Sequence, residues 1–311
     1  MERLKVCFVG VGSIAKRHIS NLNSICHDHD IPLEIDAFRR QNSTLDGVCK
    51  TYTTIADVPS DYDAIFITNP TEYHLETLNN FHDKGRHFFI EKPVVSLSQI
   101  ETARSFQLRD KAVYYVASPL RYNSVIQWIK KNINPSDVIA VRSISSSYLP
   151  DWRPGKDYRN TYSAHRKLGG GVSIDLIHEW DYLTYLFGWP KTVFRMIGKK
   201  SKLEIDSDDY AIYIADYKDK TVELHLDYYG RKTIREIQLF TNEDTIIGDI
   251  ANNTIHFSKK DNLIDFNEDR DDYQKRELIH FLDLIAGESK LEDGFHHGIE
   301  VLMLTQGRLI R

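Results

Sequence analysis

Cysteine is scarce in this chain: Cys7, Cys26 and Cys49 are the only three in 311 residues. An odd number without metal-ligand spacing excludes a disulfide framework and a thiolate metal centre, and implies reduced thiols in a cytoplasmic protein. Long apolar runs are also missing. No stretch approaches the roughly 20 residues of a bilayer-spanning helix, and the opening Met1-Glu2-Arg3-Leu4-Lys5 carries no leader-peptide pattern. Neither membrane insertion nor secretion is expected. Positive charge is not in surplus: 40 Lys and Arg against 45 Asp and Glu give a net charge of -5. Such a balance provides no general attraction to nucleic acid. Internal repeats and low-complexity tracts are lacking, which leaves out solenoids and flexible arrays. His296-His297 has no acidic or cysteine partner at ligand spacing, so no metal is expected. What is present is an ordinary globular composition, 41% hydrophobic and 27% charged, over a length that suits about two domains of roughly 100–200 residues.

The chain opens with an apolar strand, Leu4 to Val9, running directly into Gly10-Val11-Gly12-Ser13-Ile14-Ala15 and a helical stretch, Lys16 to Ser24. This G-x-G-x-x-A pattern lies in the strand–turn–helix context that a dinucleotide site requires. Gly10 permits the tight turn, Gly12 the approach of a pyrophosphate, and Ala15 the close packing of helix on strand. Ser13 and Ile14 then offer helix N-terminal amides to the phosphates. A second strand, Leu33 to Phe38, ends in Arg39-Arg40-Gln41-Asn42-Ser43. An acidic residue at such a tip selects NAD, and arginine accommodates the extra phosphate of NADP. Asp36 comes too early, within the strand. Arg39 and Arg40, with Ser43 as a further phosphate contact, favour NADP; NAD stays compatible if the arginines stack on adenine.

A third strand, Ala64 to Thr68, ends at Asn69-Pro70, with His74 at the start of the helical stretch that follows. A fourth, the run from His87 to Pro93, stops at or near Lys92 because Pro93 cannot donate to a ladder. A further strand, Ala112 to Ala117, precedes Ser118-Pro119. Strand–helix alternation of this kind makes a doubly wound parallel sheet. Its ligands lie beyond the carboxyl ends of the strands, where Thr68, Asn69, Pro70, His74, Glu91 and Lys92 are placed on the cofactor side. From Val138 onwards the pattern changes. Val138 to Tyr148, Thr192 to Gly198, Asp209 to Tyr217, Thr221 to Tyr229, Thr233 to Thr241 and Thr245 to Ile250 follow as adjacent strands, which argues for an antiparallel sheet. Helical sequence closes the chain near Tyr273 to Ala286 and His297 to Leu309. The expected division is α/β: a Rossmann domain over 1–119 and an α+β domain over 120–311.

The glycine loop, the T-x-P-T-x-x-H form of Thr68 to His74, and E-K-P at a strand end resemble the Gfo/Idh/MocA oxidoreductase family. A second-domain signature is similar as well: Gly169-Gly170-Gly171-Val172-Ser173-Ile174-Asp175, then His178 and Asp181. The resemblance covers nearly the whole chain. It implies a Rossmann domain followed by a domain with a large, mostly antiparallel sheet that often mediates oligomer contacts, hence a homo-oligomer, dimer or tetramer. It also implies reversible hydride transfer at a sugar or polyol carbon using NAD(P), with Lys92, Asp175 and His178 as the catalytic set. The spacing departs from the commonest family form: His178 follows Asp175 by three residues, and Glu179 holds the fourth position. On a continuous helix both positions share a face with Asp175, so the acid–base partner is His178 or Glu179, with His178 preferred.

These residue types suit the chemistry. Oxidation of a CHOH centre needs a group to take the hydroxyl proton, for which histidine is fitted, and a cation to stabilise the developing charge on oxygen, for which lysine is fitted. Between Tyr148 and Ala164 lies a loop rich in aromatic and basic residues. Trp152, Arg153, Tyr158, Arg159 and Tyr162 offer stacking faces and bidentate forks to a sugar or sugar nucleotide, as in relatives of surface-polysaccharide metabolism. Tyr210, Ile212, Ile214, Leu224, Leu226 and Tyr228 alternate, so an apolar sheet face is expected to carry the oligomer contact. Two other readings keep the fold. One is a non-catalytic dinucleotide-binding sensor, against which the intact Lys92, Asp175 and His178 argue. The other is a reductase of a non-sugar carbonyl, such as a dihydrodiol or a tetrapyrrole; the arginine-bearing loop disfavours an uncharged polycyclic substrate.

Overall fold

The structure, a computed structural model, describes residues 3–41, 45–259, 262–291 and 294–309. The chain divides into two compact units, Met1–Ala117 with Arg270–Ile299, and Ser118–Asp269 with Glu300–Arg311.

In the first unit the elements run β1 (Leu4–Val9), α1 (Ser13–Asp28), β2 (Leu33–Phe38), β3 (Lys50–Tyr52), β4 (Tyr62–Ile67), α2 (His74–Asn80), β5 (Gly85–Ile90), α3 (Ile100–Arg104) and β6 (Tyr114–Val116). The strands form one sheet in the order β3-β2-β1-β4-β5-β6, every pair parallel. β1 is buried along its whole length, as a central parallel strand covered on both faces must be. Register places Phe8, Phe66, Phe89 and Tyr115 side by side on four neighbouring strands. Phe8 stacks on Phe66 at 4.6 Å and Phe66 on Phe89 at 4.9 Å. The sheet order reverses between β1 and β4, and the loops after these two strands meet at that switch point.

The second unit contains α4 (Ser124–Asn132), β7 (Val138–Tyr148), α5 (Val172–Asp175), α6 (His178–Phe187), β8 (Thr192–Gly198), β9 (Tyr210–Asp216), β10 (Thr221–Asp227), β11 (Tyr229–Thr241), β12 (Thr245–Asp249), β13 (Thr254–Phe257) and β14 (Asn262–Asp265). Its sheet has the order β14-β13-β12-β11-β7-β10-β9-β8. β7 and β10 are parallel and the other pairs antiparallel. One face carries the buried Ser143, Tyr213, Leu224 and Leu226, and there the Tyr182 hydroxyl of α6 lies 2.6 Å from Ser143 Oγ. The opposite face presents Phe194, Met196 and Ile214 at 65%, 55% and 52% exposure. Register corrects the apolar face expected from alternation. Ile212 faces His225 and Ile214 faces Glu223, while Leu224 and Leu226 face Tyr213 and Ala211. Leu224 and Leu226 therefore point to the buried side, and Tyr228, also buried, does not join the exposed face either.

The last helices are α7 (Arg270–Ala286) and α8 (Phe295–Thr305). α7 buries Gln274, Glu277, Leu278, Phe281 and Leu282, the three-and-four spacing of one helix face. That face packs against the first unit: Phe281 meets Phe66 and Phe89 edge-on at 5.6 and 5.3 Å. The division expected at 119/120 put residues 270–299 in the second domain, whereas the structure returns them to the first, where they cover the aromatic row.

Candidate functional site

The candidate residues fall into two groups, one in each unit. In the first, Gly10 leaves β1 with φ of +82°, and a side chain there would meet the Asn69 backbone at 2.7 Å. Only glycine suits both the left-handed conformation and the close approach. Thr68 ties the two loops by donating to the Gly10 carbonyl at 2.6 Å. Gly12, by contrast, has nothing within 4 Å of where a side chain would stand. It precedes α1, whose first turn has neither a capping side chain nor an acidic residue. Ser13 and Ile14 thus begin a helix whose amides face an open, positively polarised end. Asn69 donates to Thr77 Oγ1 at 2.7 Å, and its own Oδ1 is buried with no partner among the described residues. The open glycine and the uncapped helix start fit the phosphates of a dinucleotide, and the orphaned acceptor suits a donor such as a ribose hydroxyl.

The strand tips and the loops beyond them carry the other candidates. Asp36 is buried in the sheet and accepts from the Tyr62 hydroxyl at 2.7 Å. Arg39 donates its backbone amide to Tyr52 at 3.0 Å, and Arg40 lies over the Tyr73 ring at 5.9 Å. Pro70, exposed, leads into the turn before α2. Ser43 lies outside the described residues. His74 is 1% exposed, its Nδ1 3.2 Å from the Val94 carbonyl and its Nε2 2.9 Å from that of Asn69. Burial outweighs these carbonyls and pushes its pKa below the ordinary value. This ring joins the loop after β4 to the loop after β5 from inside rather than facing a ligand. Glu91 is likewise turned inward: His18 Nε2 lies 2.7 Å from Glu91 Oε1, and the Lys92 amide donates to Oε2 at 3.3 Å. Burial would raise the Glu91 pKa, but the His18 bond and the charges of His18 and Lys92 prevail and hold it below the usual carboxylate value. Lys92 itself is half-buried.

In the second unit, Gly171 has φ of +132°, and a side chain on it would strike Asp208 Oδ1 at 2.3 Å. Its bareness lets Asp208 reach α5. Asp208 Oδ2 accepts from the Ser173 amide at 2.9 Å and the Asp208 carbonyl from Val172 at 3.0 Å. α5 ends at Asp175, which is 5% exposed and accepts from the Tyr228 hydroxyl at 2.5 Å. Tyr162 also directs its hydroxyl to Asp175; burial first, then the Asp175 charge, push both phenols well above their ordinary pKa. The expected continuous helix is interrupted. Ile177 bonds back to Ile174 and Glu179 to Leu176, three residues instead of four, before α6 begins at His178. As a result Glu179 is fully buried and accepts from Arg235 Nε at 2.7 Å. Asp181 takes both arms of Arg121 at 2.8 Å, and His178 stays half-buried.

The loop from 149 to 168 folds as four short 3-10 turns. Trp152 packs edge-on against Tyr228 at 5.1 Å and donates to Ser147 Oγ at 2.8 Å, while Arg153 covers the Tyr162 ring at 5.4 Å. Trp152, Arg153 and Tyr162 are thereby linked to Asp175. Tyr158 and Arg159 are not. The Tyr158 hydroxyl accepts from the Glu204 amide at 3.1 Å, and Arg159 is paired with Asp157 and Glu204 at 2.8 and 3.2 Å. Sequence reasoning missed His18, Asp208 and Tyr228 as site residues; they bond to Glu91, to the first turn of α5 and to Asp175 from distant positions, without any motif of their own.

Residues 4–117 match the model of an oxidoreductase family with an NAD-binding Rossmann fold, and residues 127–247 match the GFO/IDH/MocA C-terminal domain. The rhizopine catabolism protein MocA of Rhizobium meliloti is 25% identical over 210 residues, 65% of this chain and 62% of that protein. The matched segments span 52% to 62% of the curated relatives. Among solved structures, levoglucosan dehydrogenase in complex with NADH aligns with a TM-score of 0.84 at 15% identity, covering 98% of this chain and 95% of that one. UDP-N-acetylglucosamine 3-dehydrogenase of Acidithiobacillus ferrooxidans aligns at 0.77 and 19%, covering 98% and 96%. At these identities the likeness to the solved structures is one of fold.

Proposed function

The chain belongs to the GFO/IDH/MocA oxidoreductase family, and from that premise we propose that it is an NADP-dependent dehydrogenase or reductase acting at a CHOH or C=O centre of a sugar or sugar derivative. The observation that carries the reading is the fingerprint loop itself: an open Gly12 leading into an uncapped α1, with the orphaned Asn69 oxygen beside Gly10. Gly10, Gly12, Ser13, Ile14 and Asn69 would hold the dinucleotide. Asp36 is engaged by Tyr62 within the sheet, so Arg39 and Arg40 stand at the tip of β2 and favour the extra phosphate of NADP. The bound nicotinamide supplies the hydride acceptor or donor.

The protein's own groups handle proton and charge. Lys92 stabilises negative charge developing on the substrate oxygen, His178 takes or gives the hydroxyl proton, and Asp175, anchored by two tyrosine hydroxyls, fixes the local geometry. Trp152, Arg153 and Tyr162 are the substrate-facing residues of choice, since they lead to Asp175. Curated relatives named inositol 2-dehydrogenase and levoglucosan dehydrogenase support a polyol or sugar as substrate. The three free cysteines fit a cytoplasmic enzyme. The exposed Phe194, Met196 and Ile214 support a homo-oligomer formed through that face.

The test is fluorescence titration with NADPH and NADH, followed by nicotinamide absorbance with inositols, anhydrosugars and nucleotide sugars. Tighter binding of NADPH and turnover of one such class are expected. Failure to bind either dinucleotide overturns the reading, and equal or tighter NADH binding overturns the cofactor assignment.

A further inference from the structure

We propose that His18 and Glu91 are positioning residues that hold the Lys92 backbone to the dinucleotide-binding helix, so that cofactor occupancy and placement of Lys92 are linked. This rests on the function proposed above and adds a connection within the first unit. Glu91 directly precedes Lys92, and its two carboxylate oxygens face different ways. One lies 2.7 Å from His18 Nε2 on α1, and the other accepts the Lys92 amide at 3.3 Å. A single buried carboxylate therefore bridges the helix that begins at Gly12 and the residue assigned to charge stabilisation.

The surroundings make this bridge specific. The His18 side chain is 1% exposed and that of Glu91 13%. The imidazole meets Phe89 edge-on at 5.0 Å and lies tilted against Phe66 at 6.3 Å. Its Nδ1 has no hydrogen-bond partner among the described residues, which leaves Nε2 as the polar atom through which the ring acts. A carboxylate this little exposed and bonded to a buried histidine makes a strong contact, since water competes weakly for it. The far end of Glu91 is fixed too: its backbone amide donates to the Ile67 carbonyl of β4 at 3.0 Å. With backbone and carboxylate both held, the Lys92 peptide has little freedom as long as α1 keeps its place. A dinucleotide that orders the N-terminal turns of α1 thus orders Lys92 through one side-chain contact. Thermodynamic linkage makes this reciprocal.

Residue-resolved amide hydrogen exchange on the full chain, with and without NADPH, tests the bridge. In the parent protein NADPH should slow exchange of the Lys92 amide. His18→Phe keeps the aromatic packing and removes the donor. It should bind NADPH within roughly threefold of the parent, yet the Lys92 amide should exchange about tenfold faster and gain no protection from cofactor, as loss of one charge-assisted bond implies. His18→Gln places an amide donor where Nε2 stood and should restore the protection, which a merely space-filling role would not. Should His18→Phe fail to fold, His18→Leu reports on the same bridge, because it keeps an apolar side chain against Phe66 and Phe89 and likewise removes the donor to Glu91. Equal protection of Lys92 by NADPH in the parent and in His18→Phe overturns the inference alone. Absence of dinucleotide binding by the parent overturns it together with the proposed function.

Discussion

Arg235 should matter to this protein more than its place on a sheet strand implies. Glu179 is fully buried and accepts from Arg235 Nε at 2.7 Å, while the Arg235 side chain keeps 25% exposure. The other Glu179 oxygen is buried without a partner among the described residues, so the carboxylate leans on this contact. Removing one partner of a buried ion pair costs about 3–5 kcal/mol, because the remaining charge is left uncompensated. The partial exposure of Arg235 lets water screen the pair, which favours the lower end, about 3 kcal/mol. For a domain of this size that lowers the melting temperature by roughly 6–12 °C. Arg235→Met should show this loss in thermal unfolding followed by circular dichroism. The double change Arg235→Met with Glu179→Met should recover most of it, since apolar residues of similar volume replace a buried pair at little cost. A parent-like melting point for Arg235→Met, or a double variant as unstable as both single losses added, would refute the reasoning.

Three further outcomes are expected. Lys92→Ala and His178→Ala should each slow single-turnover hydride transfer by roughly 100-fold, the scale of a positioned acid–base group, with Glu179→Gln near the parent rate; the reverse order for His178 and Glu179 would move the proton relay to Glu179. The Glu91 pKa is held low in the folded chain, so its carboxylate contributes stability that is full above the unfolded value near roughly 4.3 and is lost as pH falls through the folded value. Denaturation midpoints taken from neutral pH down through the carboxylate range should therefore fall less steeply for Glu91→Gln, and identical acid limbs would contradict the bridge to His18. Light scattering at micromolar concentration should give more than the 36.2 kDa of one chain, and Phe194→Glu with Ile214→Glu should return it to that mass; a monomeric parent removes the claim.

Much of the architecture was legible because it rests on local rules. The periods of two and of three to four residues, broken by glycine and proline, place β7 and β8 with the bounds read from sequence, Val138–Tyr148 and Thr192–Gly198. The glycine loop was legible for a different reason: its turn and its open approach constrain the backbone, and backbone constraints leave glycine at fixed spacing. α4, β13 and β14 passed unnoticed, being short or polar. The destination of α7 was not legible at all. Gln274, Glu277, Leu278 and Phe281 declare that one face is buried, but an amphipathic stripe does not name its partner. That partner is the aromatic row of Phe66 and Phe89, far earlier in the chain.

The second-unit motif shows why spacing alone was insufficient there. Reading Asp175 and His178 as neighbours on one helix face assumes uninterrupted winding, and two three-residue bonds at Ile177 and Glu179 break that assumption. The break has an identifiable cause on its N-terminal side. Asp208 holds the Val172 and Ser173 amides, and Tyr228 and Tyr162 hold the Asp175 carboxylate, so α5 is fixed at both ends by residues outside it. α6 is fixed separately, through Arg235 on Glu179 and Arg121 on Asp181. Two independently anchored helices need not share a register, and the missing residue is absorbed at Leu176 and Ile177. What distinguishes His178 from its acidic neighbours is therefore not its distance from Asp175 along the chain. Glu179 accepts from Arg235 and Asp181 from Arg121, so both carboxylates are tied to guanidinium groups of the fold. The imidazole at the start of α6 is the group whose chemistry suits the proposed relay.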